Sequence, residues 1–377
     1  MKSGVVCWGV EGLRIGCWEL KEEGRQPSNP PSPPIHPPWS CLASWNFSSD
    51  PCSLPRRTHF LCGLSCDPSS HRVTHLLLDP AGYSAPISPL LSLLSHLTHL
   101  SLSDNSFHGP FPPSLLSHLP LLQSLSLRSN SLSGPLPVSL SLLPSLQTLD
   151  LSHNSFSGPL PILNNLTLLK LVDLSYNILS GSIANLPPNL SVLAIKANKL
   201  SGSLPFSSFQ GLNQLKVVEL SDNMFGGVLQ SWFFSSLVSL QQVNLANNSF
   251  SRLEIWGSGV DSNLVAVDLG FNQIEGLLPA NFTRFPSLSS LSLRFNKFIG
   301  PIPWQFGNKA SLRRLFLDGN FLNGTAPEGF FSNKSEVLGS FGDNCLEKCP
   351  TSSQLCATPQ KPSSVCQKAY GRKSRTF

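Results

Sequence analysis

The chain has 377 residues, of which 40% are hydrophobic and only 12% charged, with a formal net charge of +5. Thirteen basic side chains balance thirteen acidic ones between residues 73 and 336, so the excess positive charge sits at the two ends. That neutrality excludes the clustered basic stripe of a nucleic-acid binder, and no run approaches the ~18 apolar residues that a membrane-spanning helix needs.

Residues 1–40 read as an atypical start. A secretory leader needs a basic start and an unbroken apolar stretch, but the run Val5–Val10 is followed at once by Glu11 and Arg14, so no signal peptide is recognisable. The stretch Gln26-Pro-Ser-Asn-Pro-Pro-Ser-Pro-Pro-Ile-His-Pro-Pro38 is proline-rich, and the segment as a whole is expected to lack fixed structure.

Residues 41–72 carry cysteines at 41, 52, 62 and 66 ahead of the first regular phrase. Cys62-x3-Cys66-x4-His71-x3-His75 has ligand-like spacing for a metal. His75, however, falls inside an apolar strand phrase, and the step from Cys66 to His71 is too short for a zinc-finger helix. Disulfides involving Cys52, Cys62 and Cys66 are expected instead, and no metal or other cofactor. Three cysteines leave one over unless Cys41 joins them, and the sequence does not fix the pairing.

From residue 73 to 336 the chain is periodic. Asparagines recur at 105, 130, 154, 177, 198, 223, 248, 272, 296 and 320, each closing the phrase L-x-x-L-x-L-x-x-N, and a degenerate coil with Val73, Leu76 and Leu78 precedes them. Residues two apart in an extended segment point to the same face, so the leucines of L-x-L turn inward and the intervening residues outward. Stacked units make a parallel sheet over a continuous apolar interior, and the asparagine is suited to bond backbone groups of neighbouring coils. One unit could not bury its leucines alone, whereas about eleven in series can.

The second half of each unit brings a hydrophobic residue, glycine and often proline, as in Ser-Gly-Pro-Leu-Pro at 133–137. Glycine supplies positive φ and proline suits strand edges, so short strands or 3-10 turns are expected there in place of long helices. One unit departs: after Asn248 the text runs Ser-Phe-Ser-Arg-Leu-Glu-Ile-Trp256, without the glycine. It reads either as an altered coil that keeps its leucines or as an irregular lateral surface.

Residues 337–366 hold Cys345, Cys349, Cys356 and Cys366, and residues 367–377 form a basic tail. Cysteines thus fall outside the repeats, where an open-ended solenoid needs caps. Catalysis finds no footing. The acidic residues Asp104, Asp150, Asp173, Glu219, Asp268 and Asp318 lie about one coil apart as a decorated surface, and His96, His99, His118 and His153 lack a partnered nucleophile. No kinase motif is present. An enzyme is not expected.

The phrase L-x-x-L-x-L-x-x-N-x-L-x-G-x-x-P resembles the plant-specific type of leucine-rich repeat. Leu42-Ala-Ser-Trp45 through Cys52, with Phe60-Leu-Cys62-Gly-Leu-Ser-Cys66, is similar to the N-terminal cap of plant receptor ectodomains of this family, and Gly342-Asp-Asn-Cys345-Leu to their C-terminal cap. The resemblance implies a repeat solenoid of α/β type, a leucine-rich-repeat superhelix with a parallel β-sheet on the concave face and cysteine-containing caps. It also implies a non-catalytic recognition scaffold at the cell surface, binding a peptide or partner protein, with an LRR co-receptor kinase as a further partner. The alternative is a secreted inhibitor of a cell-wall-degrading enzyme, similar to polygalacturonase-inhibiting proteins; the Cys62–Cys66 text departs from the paired cysteines expected of that group.

Binding is expected on the outward strand positions, whose side chains form columns about 4.8 Å apart. Aromatic and arginine anchors gather late in the chain, at Phe271, Arg294, Phe295, Arg314 and Phe316, with Arg128, Tyr176, Lys196 and Glu219 earlier. Related peptide receptors hold a carboxylate with an Arg-x-Arg pair, but here Arg314-Leu-Phe316 keeps only one arginine. Asn-x-Ser/Thr triplets at Asn46, Asn165, Asn189, Asn247, Asn281, Asn323 and Asn333 are glycosylation candidates.

Overall fold

The computed structural model describes residues 4–10, 13–20, 40–45, 51–52, 62–183, 186–256, 261–332 and 336–371. The chain divides into two compact units, one of residues 1–180 and 184–190, the other of 181–183 and 191–377.

In the first unit the strands Val73–Leu77, His99–Ser101, Ser124–Ser126, Thr148–Asp150 and Leu171–Asp173 pair in parallel, each with the next. The second unit repeats the pattern with Val192–Ala194, Val217–Glu219, Gln242–Asn244, Ala266–Asp268, Ser290–Ser292, Arg314–Phe316 and Leu338–Ser340. Each three-residue strand has its central residue buried and its flanks more exposed in most coils, as the period-2 reading requires. The inward positions are filled completely: Leu125, Leu127, Leu291, Leu293, Leu315 and Leu317 are all 0% exposed.

The outer halves form short strands, such as Ser131–Pro135 beside Ser155–Gly158 in the first unit and Lys297–Pro301 beside Phe321–Thr325 in the second. Between outer and inner strands run 3-10 turns or single helical turns, including Val138–Leu142 and Trp304–Asn308. In the second unit these turns carry a column of aromatics, in which Phe234 packs edge-on to Phe282 at 5.9 Å and Phe209 edge-on to Phe233 at 5.7 Å.

The asparagine ladder explains why the coils stack in register. Asn130 accepts from the Phe107 N–H at 2.8 Å through Oδ1, while its Nδ2 donates to the Leu102 carbonyl of the preceding coil at 2.9 Å and to Leu127 of its own at 3.1 Å. Asn296 repeats this with Ile274, Leu269 and Leu293. Each side chain thereby satisfies backbone groups that the turn would otherwise bury unpaired. The ladder has one more rung than the sequence reading counts: Asn344, 0% exposed, takes the Leu322 N–H at 3.0 Å and donates to Leu317 at 2.9 Å. The cap text therefore begins as a true coil.

The departure after Asn248 interrupts the outer sheet. Ser249–Leu253 pairs with Met224–Leu229 through a register shift, and the next outer strand, Glu275–Leu277, opens a separate four-stranded sheet with Lys297–Pro301, Phe321–Thr325 and Cys345–Lys348. The inner pairing continues undisturbed from Gln242–Asn244 to Ala266–Asp268. The altered coil keeps its apolar interior, and Trp256 stands 69% exposed beside it.

Both ends are closed by disulfides. Cys41 joins Cys62 and Cys52 joins Cys66, so Cys41 is the fourth partner and the cysteines of the metal-like pattern are consumed in separate bridges. Trp45 donates from Nε1 to the Cys62 carbonyl at 2.8 Å, and Leu64–Cys66 adds an antiparallel strand to Val73–Leu77. At the other end Cys345 joins Cys366 and Cys349 joins Cys356. The basic tail expected from 367 starts inside the helix Ser363–Gly371, because Tyr370 is anchored: its hydroxyl donates to the Phe321 carbonyl at 2.6 Å and accepts from the Gly300 N–H at 3.1 Å. Within residues 1–40, where no fixed structure is expected, Gly4–Val10 pairs antiparallel with Leu13–Leu20. Those two stretches are rich in Val, Ile and Trp, which favour strands. The proline-rich run Gln26–Pro38 lies outside the described residues.

Candidate functional site

The site grows out of the residues around four successive ladder asparagines in the second unit. Immediately before the asparagine the backbone must turn through the left-handed region: Phe271 has φ +55° and Phe295 +51°, where most residues avoid being, while Gly319 meets the same need at +73° without a side chain. This turn throws the two phenylalanine rings onto the strand face instead of into the core. They stack at 4.6 Å between centroids with 14° between planes, 43% and 41% exposed.

Arg294 sits beside them. Its guanidinium lies 5.1 Å from the centre of the Phe271 ring and 5.8 Å from that of Phe316, a cation-aromatic arrangement that holds the planar head against apolar surfaces. Gly270 makes room for it: a Cβ there would stand 3.1 Å from Arg294 Cγ and 3.0 Å from the Asp268 carboxylate. Burial raises the Asp318 carboxyl above its usual range, and the positive charge of Arg294 only partly opposes this.

A recess of about 440 Å³ opens on this face. Its floor is made of small side chains, Ala266, Ser290 and Ser292, with Glu219 and Asp268 toward one side and Arg294, Arg314 and Phe316 toward the other. The acidic members are pinned: Glu219 accepts from Asn244 Nδ2 at 3.0 Å and from Ser221 Oγ at 2.6 Å, and Asp268 accepts from the Gly270 N–H at 2.8 Å. Three buried polar atoms beside the recess have no hydrogen-bond partner, namely Ser292 Oγ, Arg294 Nε and Asp318 Oδ1. Buried groups of this kind are ordinarily satisfied, so these three are exceptions among the described residues.

Of the residues read from the sequence, Glu219, Arg294, Arg314 and Phe316 line the recess, and Phe271 and Phe295 flank Arg294. Lys196 lies in the same unit, 3.7 Å from Asp222 in the next coil. Arg128 and Tyr176 belong to the first unit and do not line the recess; Tyr176 stacks on His153 at 4.2 Å. Ser292, Asp268 and Asp318 were not singled out as binding residues. Their signal is positional: Ser292 occupies an outward strand position opposite Phe316, Asp268 one opposite Ser292, and Asp318 lies near Arg294.

Among the candidate glycosylation sites, Asn165, Asn189 and Asn247 are exposed and Asn281 and Asn323 half-buried, while Asn46 and Asn333 lie outside the described residues. No helix among the described residues is long and apolar enough to cross a membrane.

A series of similar coils with parallel inner strands and an asparagine ladder defines a leucine-rich-repeat solenoid, and comparison with known proteins agrees. Leucine-rich-repeat family models match residues 95–156 and 287–309. Lumican of Oryctolagus cuniculus is 32% identical over 130 residues, covering 34% of this chain and 65% of that protein. The ectodomain of the Arabidopsis thaliana receptor kinase GASSHO1/SCHENGEN3, solved with CASPARIAN STRIP INTEGRITY FACTOR 2, superposes with a TM-score of 0.70 at 31% identity over 76% of this chain and 35% of its own. The plant peptide hormone receptor RGFR1, solved with RGF2, gives 0.63 at 27% over 71% and 47%. The chain thus spans less than two thirds of each of these proteins. Over part of its length it is similar to plant leucine-rich-repeat receptor-like proteins.

Proposed function

We propose that the chain is a non-catalytic recognition scaffold of the cell surface, and that its second unit binds an extended peptide or a segment of a partner protein across the recess. The observation that carries this reading is the juxtaposition of rigid aromatic and arginine anchors with unpartnered buried polar atoms at Ser292, Arg294 and Asp318. Aromatics and arginine supply most of the energy in protein recognition, and a peptide backbone brings the donors and acceptors that the polar atoms lack. Similarity to receptors solved with their ligands supports the same class of partner. Disulfide caps and glycosylation triplets fit an exported domain. No feature of the recess favours the alternative of an enzyme inhibitor.

Selection of a displayed peptide library on the full chain, followed by affinity measurement, tests the reading. Arg294→Ala and Arg314→Ala should each weaken the selected peptides by ~1 kcal/mol or more. Peptides that bind both variants as tightly as the parent would remove the recess from consideration.

A further inference from the structure

The turn positions just before the ladder asparagines form a column beside the recess. In the second unit it runs through Asp222, Asn247, Phe271 and Phe295, all held at φ between +51° and +55°. Side chains in this column touch from coil to coil: Phe271 stacks on Phe295 at 4.6 Å, and Asn247 Nδ2 donates to Asp222 Oδ1 at 2.8 Å. Asn247 is exposed, and its backbone N–H donates at 2.9 Å to the carbonyl of Gly270, the residue before Phe271. Asn244, three residues earlier in the same coil, lines the recess. Asn247 therefore stands at the rim of the recess, one coil ahead of the aromatic stack.

Asn247 also opens the triplet Asn247-Asn248-Ser249. The other described triplets begin elsewhere in their coils: Asn281 in the 3-10 turn Ala280–Arg284, Asn323 in the outer strand Phe321–Thr325, and Asn165 and Asn189 in the turns that lead into inner strands. Among the described triplets, Asn247 alone stands where an inner strand ends, beside the recess. A glycan is linked through Nδ2, and the linked amide keeps one hydrogen, so the bond to Asp222 survives and the sugar leaves from the other position. Coils stack about 4.8 Å apart, close to the length of one sugar ring, so the first sugar reaches the coil that carries Phe271.

We propose that Asn247 carries an N-linked glycan that gates the recess, covering exposed surface of Phe271 and crowding the mouth against ligands. An N-linked glycan is bulky and well solvated. A ligand that uses Phe271 as an anchor must displace it, and ordering or desolvating the sugar costs affinity. Slender peptides that engage Arg294 and Arg314 from the far side of Phe271 lose least. The gating rests on peptide recognition at the recess; the attachment of sugar at Asn247 does not.

Expression of the full chain behind a secretory leader, with two substitutions at Ser249, tests the assignment. Ser249→Ala ends the triplet and leaves Asn247 and its bond to Asp222 in place, whereas Ser249→Thr keeps the triplet. Site-by-site mass analysis should find sugar on Asn247 in the parent and in Ser249→Thr, and none in Ser249→Ala. Peptides selected from a displayed library on Ser249→Ala should bind the parent and Ser249→Thr severalfold more weakly. Asn165→Gln, which removes a triplet in the first unit, should recover none of that loss. Unmodified Asn247 in the parent overturns the proposal. So does equal affinity of the parent and Ser249→Ala for peptides that Arg294→Ala weakens, or a recovery by Asn165→Gln as large as that by Ser249→Ala. Peptides that Arg294→Ala leaves unaffected overturn recognition at the recess itself, and the gate with it.

Discussion

The ring of Phe295 lies directly over the Cα of Gly319, so close that a Cβ on the glycine would stand 2.8 Å from Cε1 and 2.9 Å from Cγ of the ring. The glycine sits at the left-handed turn before Asn320, the position that in the two preceding coils holds Phe271 and Phe295 themselves. The aromatic stack thus ends at Gly319 because the last ring folds down onto the space where a third side chain would have stood.

Gly319→Ala should therefore act twice. Alanine at φ +73° is strained by ~1–2 kcal/mol, and its methyl displaces Phe295 from its place beside Phe271. A lowered melting temperature together with weaker binding of library-selected peptides is expected; a variant that melts lower yet binds unchanged would detach the stack from recognition.

Adjacent residues should separate stability from binding. Leu293 is 0% exposed, and Leu293→Ala should cost about 2–5 kcal/mol in chemical denaturation. Arg294→Ala, one residue on, should change stability by less than about 1 kcal/mol, because its contacts are to half-exposed rings, and should lose affinity instead.

Asn296→Ala removes the acceptor for the Ile274 N–H and the donor to the Leu269 and Leu293 carbonyls. Stranded buried backbone groups cost ~1–3 kcal/mol each, so the loss should rival or exceed that of a core leucine. Hydrogen exchange should localise the damage, with the Ile274 amide losing protection first.

The fold was legible because period and residue type speak about the same thing. From Leu100 onward both apolar residues of the L-x-L pair are buried in each coil, and the asparagine that follows is bonded as its spacing implies. Cap pairing was not legible, since spacing among Cys41, Cys52, Cys62 and Cys66 leaves the partners open until the backbone brings them together. Nor could Asn344 be counted as a rung, because its phrase lacks the leucines and carries Phe341 in place of the last one. The candidate site was half legible: Arg294 and the phenylalanines announce themselves by type, whereas Ser292 and Asp318 matter through burial without partners, which sequence does not display.

Asp318 gives a pH signature. Its folded carboxyl titrates above the unfolded value because of burial, so its contribution is favourable below the unfolded range near pH 4 and is lost as pH rises through the folded one. Asp318→Asn, which does not titrate, should melt higher than the parent at pH 7, and the difference should vanish below about pH 4. A difference that stays constant across this range would contradict the burial effect.

Expression through a secretory pathway should load sugar on Asn165, Asn189 and Asn247, which are exposed. Site-by-site mass analysis after enzymatic deglycosylation checks this, and unmodified asparagine at all three would count against export.

Each rung of the asparagine ladder reaches only its own coil and the one before it, as Asn130 does with Leu127 and Leu102. Inserting or deleting one whole coil therefore leaves every remaining rung with the same partners, and the outer half of a coil absorbs small changes as well, since Asn130 and Asn177 make the same bonds in coils of 25 and 23 residues. Length in this architecture is a free variable, so lineages can lengthen or shorten the molecule in steps of about one coil without inventing a new way to hold it together.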